Sequence, residues 1–173
     1  MPKHSAGVLL YRRSNNTVEV LLAHPGGPFW TKKDTGAWSI PKGEFTEDED
    51  PQHAAIREFS EETGHQVPSS KLTDIGEIKM SSGKIVTAWS AEGDLDPNTL
   101  VSNTFTMEWP PRSGTTQEFP EVDRVRWFSL PVARNKILKA QIPFIENLVL
   151  HLSIDLDSKV PSDEDTTSQL SLL

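Results

Sequence analysis

The chain of 173 residues has no cysteine. That excludes disulfides, thiolate metal sites and thiol nucleophiles, and it suits a reducing compartment. It also has no apolar run long enough to span a bilayer, and the stretch Ala6–Tyr11 is too short even for the core of a secretory signal. A cytoplasmic protein with no membrane partner is therefore expected. Positive charge is scarce where negative charge is densest. Residues 43–64 hold eight acids and one Arg, Arg57, and residues 153–173 hold five acids and one Lys. These two segments carry −7 and −4 of a formal net charge of −8, so the rest of the chain is +3. A body that mildly basic gives little electrostatic grip on a nucleic acid, which is not an expected partner.

What the chain does have is strand-like patterning with a few helical segments. Apolar, β-branched runs at Ala6–Tyr11 and Val18–Ala23 flank a polar Ser-Asn-Asn turn and read as a hairpin. Further strands are expected at Ala37–Ile40, Asp74–Met80, Ile85–Ala91, Thr104–Trp109 and Arg124–Phe128, with loops at 24–37, 44–50, 93–102 and 112–121. Asp50 is a good N-cap, Pro51 suits the first helical position and Gly64 suits the C-terminal cap, so the signals predict a helix over Pro51–Thr63. Helical periodicity over Pro131–Leu152 predicts a second helix, broken or kinked at Pro143. Strands with interspersed helices make the fold class α/β (α+β). One domain is expected over residues 1–154, followed by a disordered polar tail over 155–173.

Within the predicted helix, Ala55, Ile56, Phe59 and Thr63 form the core-facing stripe. Glu58, Glu61 and Glu62 stand at i, i+3 and i+4, which brings like charges together on another side. Such a group is self-repelling unless a cation neutralises it. A hard divalent ion with oxygen ligands does so, Mg²⁺ above all, with Mn²⁺ as a substitute.

From Gly43 to Gly64 the chain resembles the Nudix box, G-x5-E-x7-R-E-U-x-E-E-x-G-U, where U is a bulky apolar residue. Gly43, Glu49, Arg57, Glu58, Glu61, Glu62 and Gly64 match every fixed identity, and only His65 departs, where an aliphatic residue is usual. Seven such identities align by chance on the order of 10⁻⁸ per start position. The resemblance implies the Nudix α/β/α sandwich with a mixed β-sheet. It implies a hydrolase that cleaves a phosphoanhydride bond in a nucleoside-diphosphate-linked substrate. It further implies metal ligation by Glu58, Glu61, Glu62 and the Gly43 carbonyl, with Glu49 and Arg57 pairing to hold the loop–helix–loop shape. Glu58 is alternatively a base. The family often adds a carboxylate from outside the box. The candidates are Glu108, Glu118 and Glu121; Glu118 and Glu121 both lie in a loop just before the Trp127 strand, and Glu118 is slightly favoured.

Upstream, Trp38-Ser39-Ile40-Pro41-Lys42-Gly43 resembles the W-x-x-P-K-G lead-in of dinucleoside polyphosphate hydrolases. It suggests Lys42 and Trp38 as substrate contacts, Lys42 as a point charge for phosphate, although Trp38 also has the character of a core residue, as does Trp127. Trp30 and Trp109 are open between packing and stacking on a base. Lys32, Lys33 and Lys84 are ordinary surface lysines that a long polyphosphate would reach, and His24 and His53 are read as structural. A nucleotide is the expected partner. The substrate readings are a dinucleoside polyphosphate or a nucleoside triphosphate, with sugar nucleotides or RNA 5′ ends as alternatives. A sensor that binds nucleotide without cleaving it is a further reading, disfavoured because all three box glutamates are present.

Overall fold

The structure, a computed structural model, describes residues 1–154. The tail expected over 155–173 lies outside the described residues. Eight strands and three α-helices follow in the order β1 (His4–Ser14), β2 (Thr17–Pro25), β3 (Lys42–Phe45), α1 (Pro51–Thr63), β4 (Thr73–Lys79), β5 (Ile85–Glu92), β6 (Thr104–Glu108), β7 (Thr116–Pro120), β8 (Val122–Ser129), α2 (Leu130–Lys136) and α3 (Ile142–Leu152). The main sheet runs β4-β5-β1-β2-β8, with β3 added beside β1, and β6 and β7 form a separate ribbon. β1 pairs with β5 in parallel and with β2 and β3 antiparallel, so the sheet is mixed, as expected.

Alternation along the strands divides the core into two layers. Ala6, Val8 and Leu10 of β1, with Leu21 and Ala23 of β2, pack under Ala54, Ala55 and Phe59 of α1. Leu9, Tyr11, Val20 and Leu22 point the other way and pack under Ala133, Phe144, Ile145 and Leu148 of α2 and α3. Helices thus cover both faces, and the α/β/α sandwich is confirmed.

The feature that positions the site is a wedge. The C-terminal part of β1, Tyr11–Ser14, pairs with β2 through a turn in which Asn15 and Asn16 both take positive φ, 49° and 62°. Asn tolerates that conformation better than most residues do. The N-terminal part of β1, His4–Gly7, pairs instead with β3. Segment 37–45 therefore enters between the two strands, bridging Ala23 of β2 through Ser39 and then running along β1. Gly7 makes this possible, because a Cβ there would stand 2.6 Å from the Pro41 carbonyl oxygen and 2.7 Å from Lys42 Cβ.

Several expectations need correction. Ala37–Ile40 makes only single bridges, and the strand begins at Lys42, continuing into what was read as the acidic loop. The loop over 112–121 contains β7, a polar, exposed strand whose composition hid its pairing with β6. The C-terminal helix divides before Pro143, not at it. Pro143 occupies the first turn of α3, where its missing N–H costs nothing. The division falls at 137–141, where Gln141 is fully buried. Its carbonyl oxygen accepts the Ile40 N–H at 3.0 Å and its amide donates to Ser39 Oγ at 3.0 Å.

Gln141 thus fixes the wedge from the far side of the sheet. Gln141→Ala leaves the buried Ile40 N–H without a partner, so unfolding in urea is expected to show a loss of about 1–3 kcal/mol.

Candidate active site

α1 begins and ends as its signals predict. The Asp50 carboxylate accepts the His53 N–H at 3.0 Å, and Gly64 closes the helix at φ 76° with its N–H on the Ser60 carbonyl. A side chain at Gly64 would also meet Val101 at 2.7 Å. His65, the one departure from the box, turns its Nε2 to Thr99, 2.8 Å from the hydroxyl and 3.1 Å from the carbonyl. It ties the helix end to the following loop by hydrogen bonds in place of aliphatic packing.

The acidic side of α1 is organised by one cation. Arg57 forms a two-pronged bond with Glu49, Nε and Nη2 each at 2.8 Å from a carboxylate oxygen. Its remaining nitrogen, Nη1, lies 2.9 Å from Glu58 and 3.1 Å from both oxygens of Glu61. The fork holds Glu49 below the usual carboxylate range. Glu58 is buried, which corrects its expected place on an outward face, and burial raises its carboxyl above the ordinary value against the opposing pull of Arg57. Its carboxylate lies so close to Gly43 that a Cβ there would be 2.0 Å from it. Glu62 accepts the Lys42 backbone N–H at 3.0 Å, and burial raises its carboxyl too. Burial lowers the Lys42 ammonium, while the nearby charge of Glu62 supports it.

Lys42 and Glu62 share a cavity of about 90 Å³ with Ala23, Pro25, Ser39, Ile40, Glu121 and Val122. Of the three carboxylates outside the box, Glu121 is therefore the one brought to the site, and its charge acts on both Glu58 and Glu62. Glu118, slightly favoured from the sequence, lies exposed in the middle of β7, opposite Thr106, and neither it nor Glu108 is among the cavity's walls. The signal that could have selected Glu121 is its position immediately before Val122, the first residue of β8, which adjoins the wedge through β2.

Trp38 is corrected as a substrate contact, because it is 1% exposed and packs in the core. Its Nε1 donates to Asp34 at 2.8 Å, and its ring meets His24 and Phe128 edge-on. His24 is fully buried between Asp123 and the Lys33 carbonyl and has a structural place. Lys33 lies over the Trp30 ring, Lys84 pairs with Glu44 at 3.0 Å, and Trp127 is half-buried under Arg12. Trp109 meets Phe29 edge-on at 5.4 Å, joining the end of the ribbon strand β6 to loop 26–33.

The donor set suits a hard divalent cation. Three box carboxylates stand on neighbouring positions of one helix, and Glu58 and Glu61 already share a positive nitrogen. Glycine at 43 leaves its backbone open to Glu58. With Arg57 and Lys42 engaging these groups, no three acidic or imidazole side chains among the described residues close into a metal cage. Nor is any helix of the described residues long and apolar enough to cross a membrane.

The comparisons bear on the family and the fold. The family model described as the NUDIX domain matches residues 1–148. The Ap4A hydrolase of C. elegans, solved as a binary complex, is 23% identical and superposes with a TM-score of 0.59 over 86% of this chain and 98% of that one. The NUDIX domain of Shewanella oneidensis NrtR, complexed with ADP ribose, is 17% identical with a TM-score of 0.60 over 88% and 89%. The C-terminal domain of mouse MUTYH, solved in complex with human PCNA, is 17% identical with a TM-score of 0.56 over 96% and 98%. Identities this low speak for the fold alone.

Two outcomes follow. Gly43→Ala must push the Glu58 carboxylate aside, so turnover is expected to fall about 100-fold, the typical cost of an ångström-scale displacement. The far end of a flexible side chain can yield, so thermal stability should change little. Glu49 contributes stability that is complete above the ordinary carboxylate value, about 4.3, and is lost as pH falls through its lower folded value. Metal-free Glu49→Gln should therefore show a flatter decline of unfolding free energy below about pH 4 than the parent.

Proposed function

The chain belongs to the NUDIX family and is a hydrolase of phosphoanhydride bonds; we propose that its substrate is a nucleotide polyphosphate, a dinucleoside polyphosphate before a nucleoside triphosphate, and that Mg²⁺ is its metal. The observation that carries the proposal is the cavity that Lys42, Glu62 and Glu121 share, beside the Arg57 guanidinium that gathers Glu58 and Glu61 on the same helix. Likeness to an Ap4A hydrolase supports the dinucleoside reading. The cytoplasmic location expected from the sequence stays part of the proposal.

Glu58, Glu61 and Glu62, with the Gly43 carbonyl, would hold the cation, which supplies neutralisation of the anhydride oxygens and activation of a water. The protein's own work is positioning and electrostatics. Lys42 places a positive charge where phosphate oxygens enter, and leaving its buried position for a phosphate relieves the burial that opposes its charge. Glu121, at the cavity wall, is placed to orient the attacking water and take its proton. Arg57 keeps Glu49 and the loop in register, so its removal acts on geometry more than on the proton transfer.

A second reading is binding without turnover. It draws support from the hydrogen bonds already made at the site, since Arg57 engages Glu58 and Glu61 and the Lys42 backbone N–H engages Glu62.

Assays with diadenosine tetraphosphate and with nucleoside triphosphates, with and without Mg²⁺ and with the fragments identified, separate these readings. Glu62→Gln is expected to lower kcat by orders of magnitude with the fold intact. Glu121→Gln should lower it about 10²–10⁴-fold, the usual contribution of a general base, and Glu118→Gln should behave as the parent. Ligand-induced stabilisation with no release of product from any of these nucleotides, Mg²⁺ present, would establish the sensor instead.

A further inference from the structure

A second cavity, of about 340 Å³, lies on the opposite side of the sheet from α1 and shares no wall with the active site. Its walls come from four places in the fold: Tyr11 of β1, Ser90 and Glu92 of β5, Lys71 and Thr73 at the start of β4, and His151 near the end of α3. The register explains the convergence. Ser90 pairs with Leu9 on one side and Thr73 on the other, and Glu92 pairs with Tyr11, so these side chains rise on the face that α3 covers.

Two properties set this cavity apart from a surface hollow. Ser90 is 2% exposed, and its hydroxyl has no hydrogen-bond partner among the described residues. Native proteins rarely leave such a group unmatched. The charges, moreover, are unequal. Glu92 is neutralised by Arg13 at 3.3 Å, whereas Lys71 has no carboxylate within ion-pair distance among the described residues. Burial and the neighbouring Glu92 hold the Tyr11 phenol protonated, so it too presents a neutral hydroxyl. One ammonium without an ion-pair partner among the described residues, an imidazole and several hydroxyls thus line one space.

We propose that this cavity is a second ligand site for a small phosphate-bearing molecule, inorganic phosphate or a phosphate monoester. Lys71 supplies the point charge and Ser90 the buried donor, with His151 and Thr73 closing the shell. The volume lies at the low end of the roughly 300–1,000 Å³ typical of ligand pockets, which limits the occupant to a phosphate group on a small body. The inference is independent of the substrate proposed above, since no residue is shared.

The test is an amide NMR titration of the metal-free full chain with inorganic phosphate and, separately, adenosine monophosphate, against sodium chloride at matched ionic strength. Saturable shifts at Ser69–Thr73, Ser90–Glu92 and His151 are expected. Saturation by phosphate alone identifies a free anion as the occupant, and tighter saturation by the monophosphate shows that the attached body is also read. Lys71→Gln should weaken binding about tenfold, the worth of one charge-assisted contact, and Ser90→Ala should weaken it while the protein folds at least as stably. Shifts confined to Lys42 and Glu58–Glu62, shifts reproduced by chloride, or equal affinity in both variants would overturn the proposal.

Discussion

The Arg57 guanidinium is the contact on which the site depends. Of the four box glutamates, three, Glu49, Glu58 and Glu61, bond to its nitrogens. An isolated surface ion pair contributes little. A planar fork bonded through two parallel contacts to one acid, with its third nitrogen shared between two more, is different, because the geometry fixes all the partners at once. Lysine cannot replace it, having one point of charge and no fork. The consequence is that the loop carrying Glu49 and the helix carrying Glu58 and Glu61 are registered to each other before any ligand arrives.

That helix would act on nothing without the wedge. β1 changes partner along its length, from β3 at its start to β2 at its end, and the segment between Ala37 and Phe45 fills the divergence. Two glycines permit the approach. Gly7 admits the Pro41–Lys42 backbone, and Gly43 admits the Glu58 carboxylate. Each close contact is with a neighbour that a methyl group would displace, so these positions constrain chemistry through space filling alone. The result is that Lys42 and Glu62 face each other at the mouth of a sheet held open, with Glu121 entering from the neighbouring strand β8.

How much of this was legible in the sequence follows from the kind of signal each part carries. α1 was readable to its caps, because Asp50, Pro51 and Gly64 act locally. The box residues were readable because their spacing is fixed by one helix. The sandwich was readable from alternating strands. What could not be read was set by distant partners. β3 begins at Lys42 because β1 offers an edge there, and nothing in Lys-Gly-Glu-Phe announces that edge. β7 is polar and exposed, so its pairing left no apolar alternation to detect. Glu118 and Glu121 differ by three residues in the chain. They part company because one lies in the ribbon and the other at the root of β8, which is a matter of topology and not of composition.

Trp38 shows why a motif residue need not touch the substrate it helps to bind. Its indole is sealed in the core, bonded to Asp34 and stacked edge-on against His24 and Phe128. His24 in turn joins Asp123 of β8 to the carbonyl of Lys33 in the preceding loop. Leu138 donates its N–H to the Trp38 carbonyl, and Gln141 grips Ser39 and Ile40 from the α2–α3 layer. The four residues from Trp38 to Pro41 are therefore anchored to β2 and to the far helices, and all of that rigidity is delivered to Lys42. A flexible lysine in solvent is a poor judge of phosphate position. One whose backbone is fixed by a buried tryptophan and glutamine, and whose N–H holds Glu62, places its charge within a narrow range of the box carboxylates. The rigid parts of the molecule thus fix the Lys42 backbone, while the Phe29–Trp109 contact joins an exposed loop residue to the end of β6.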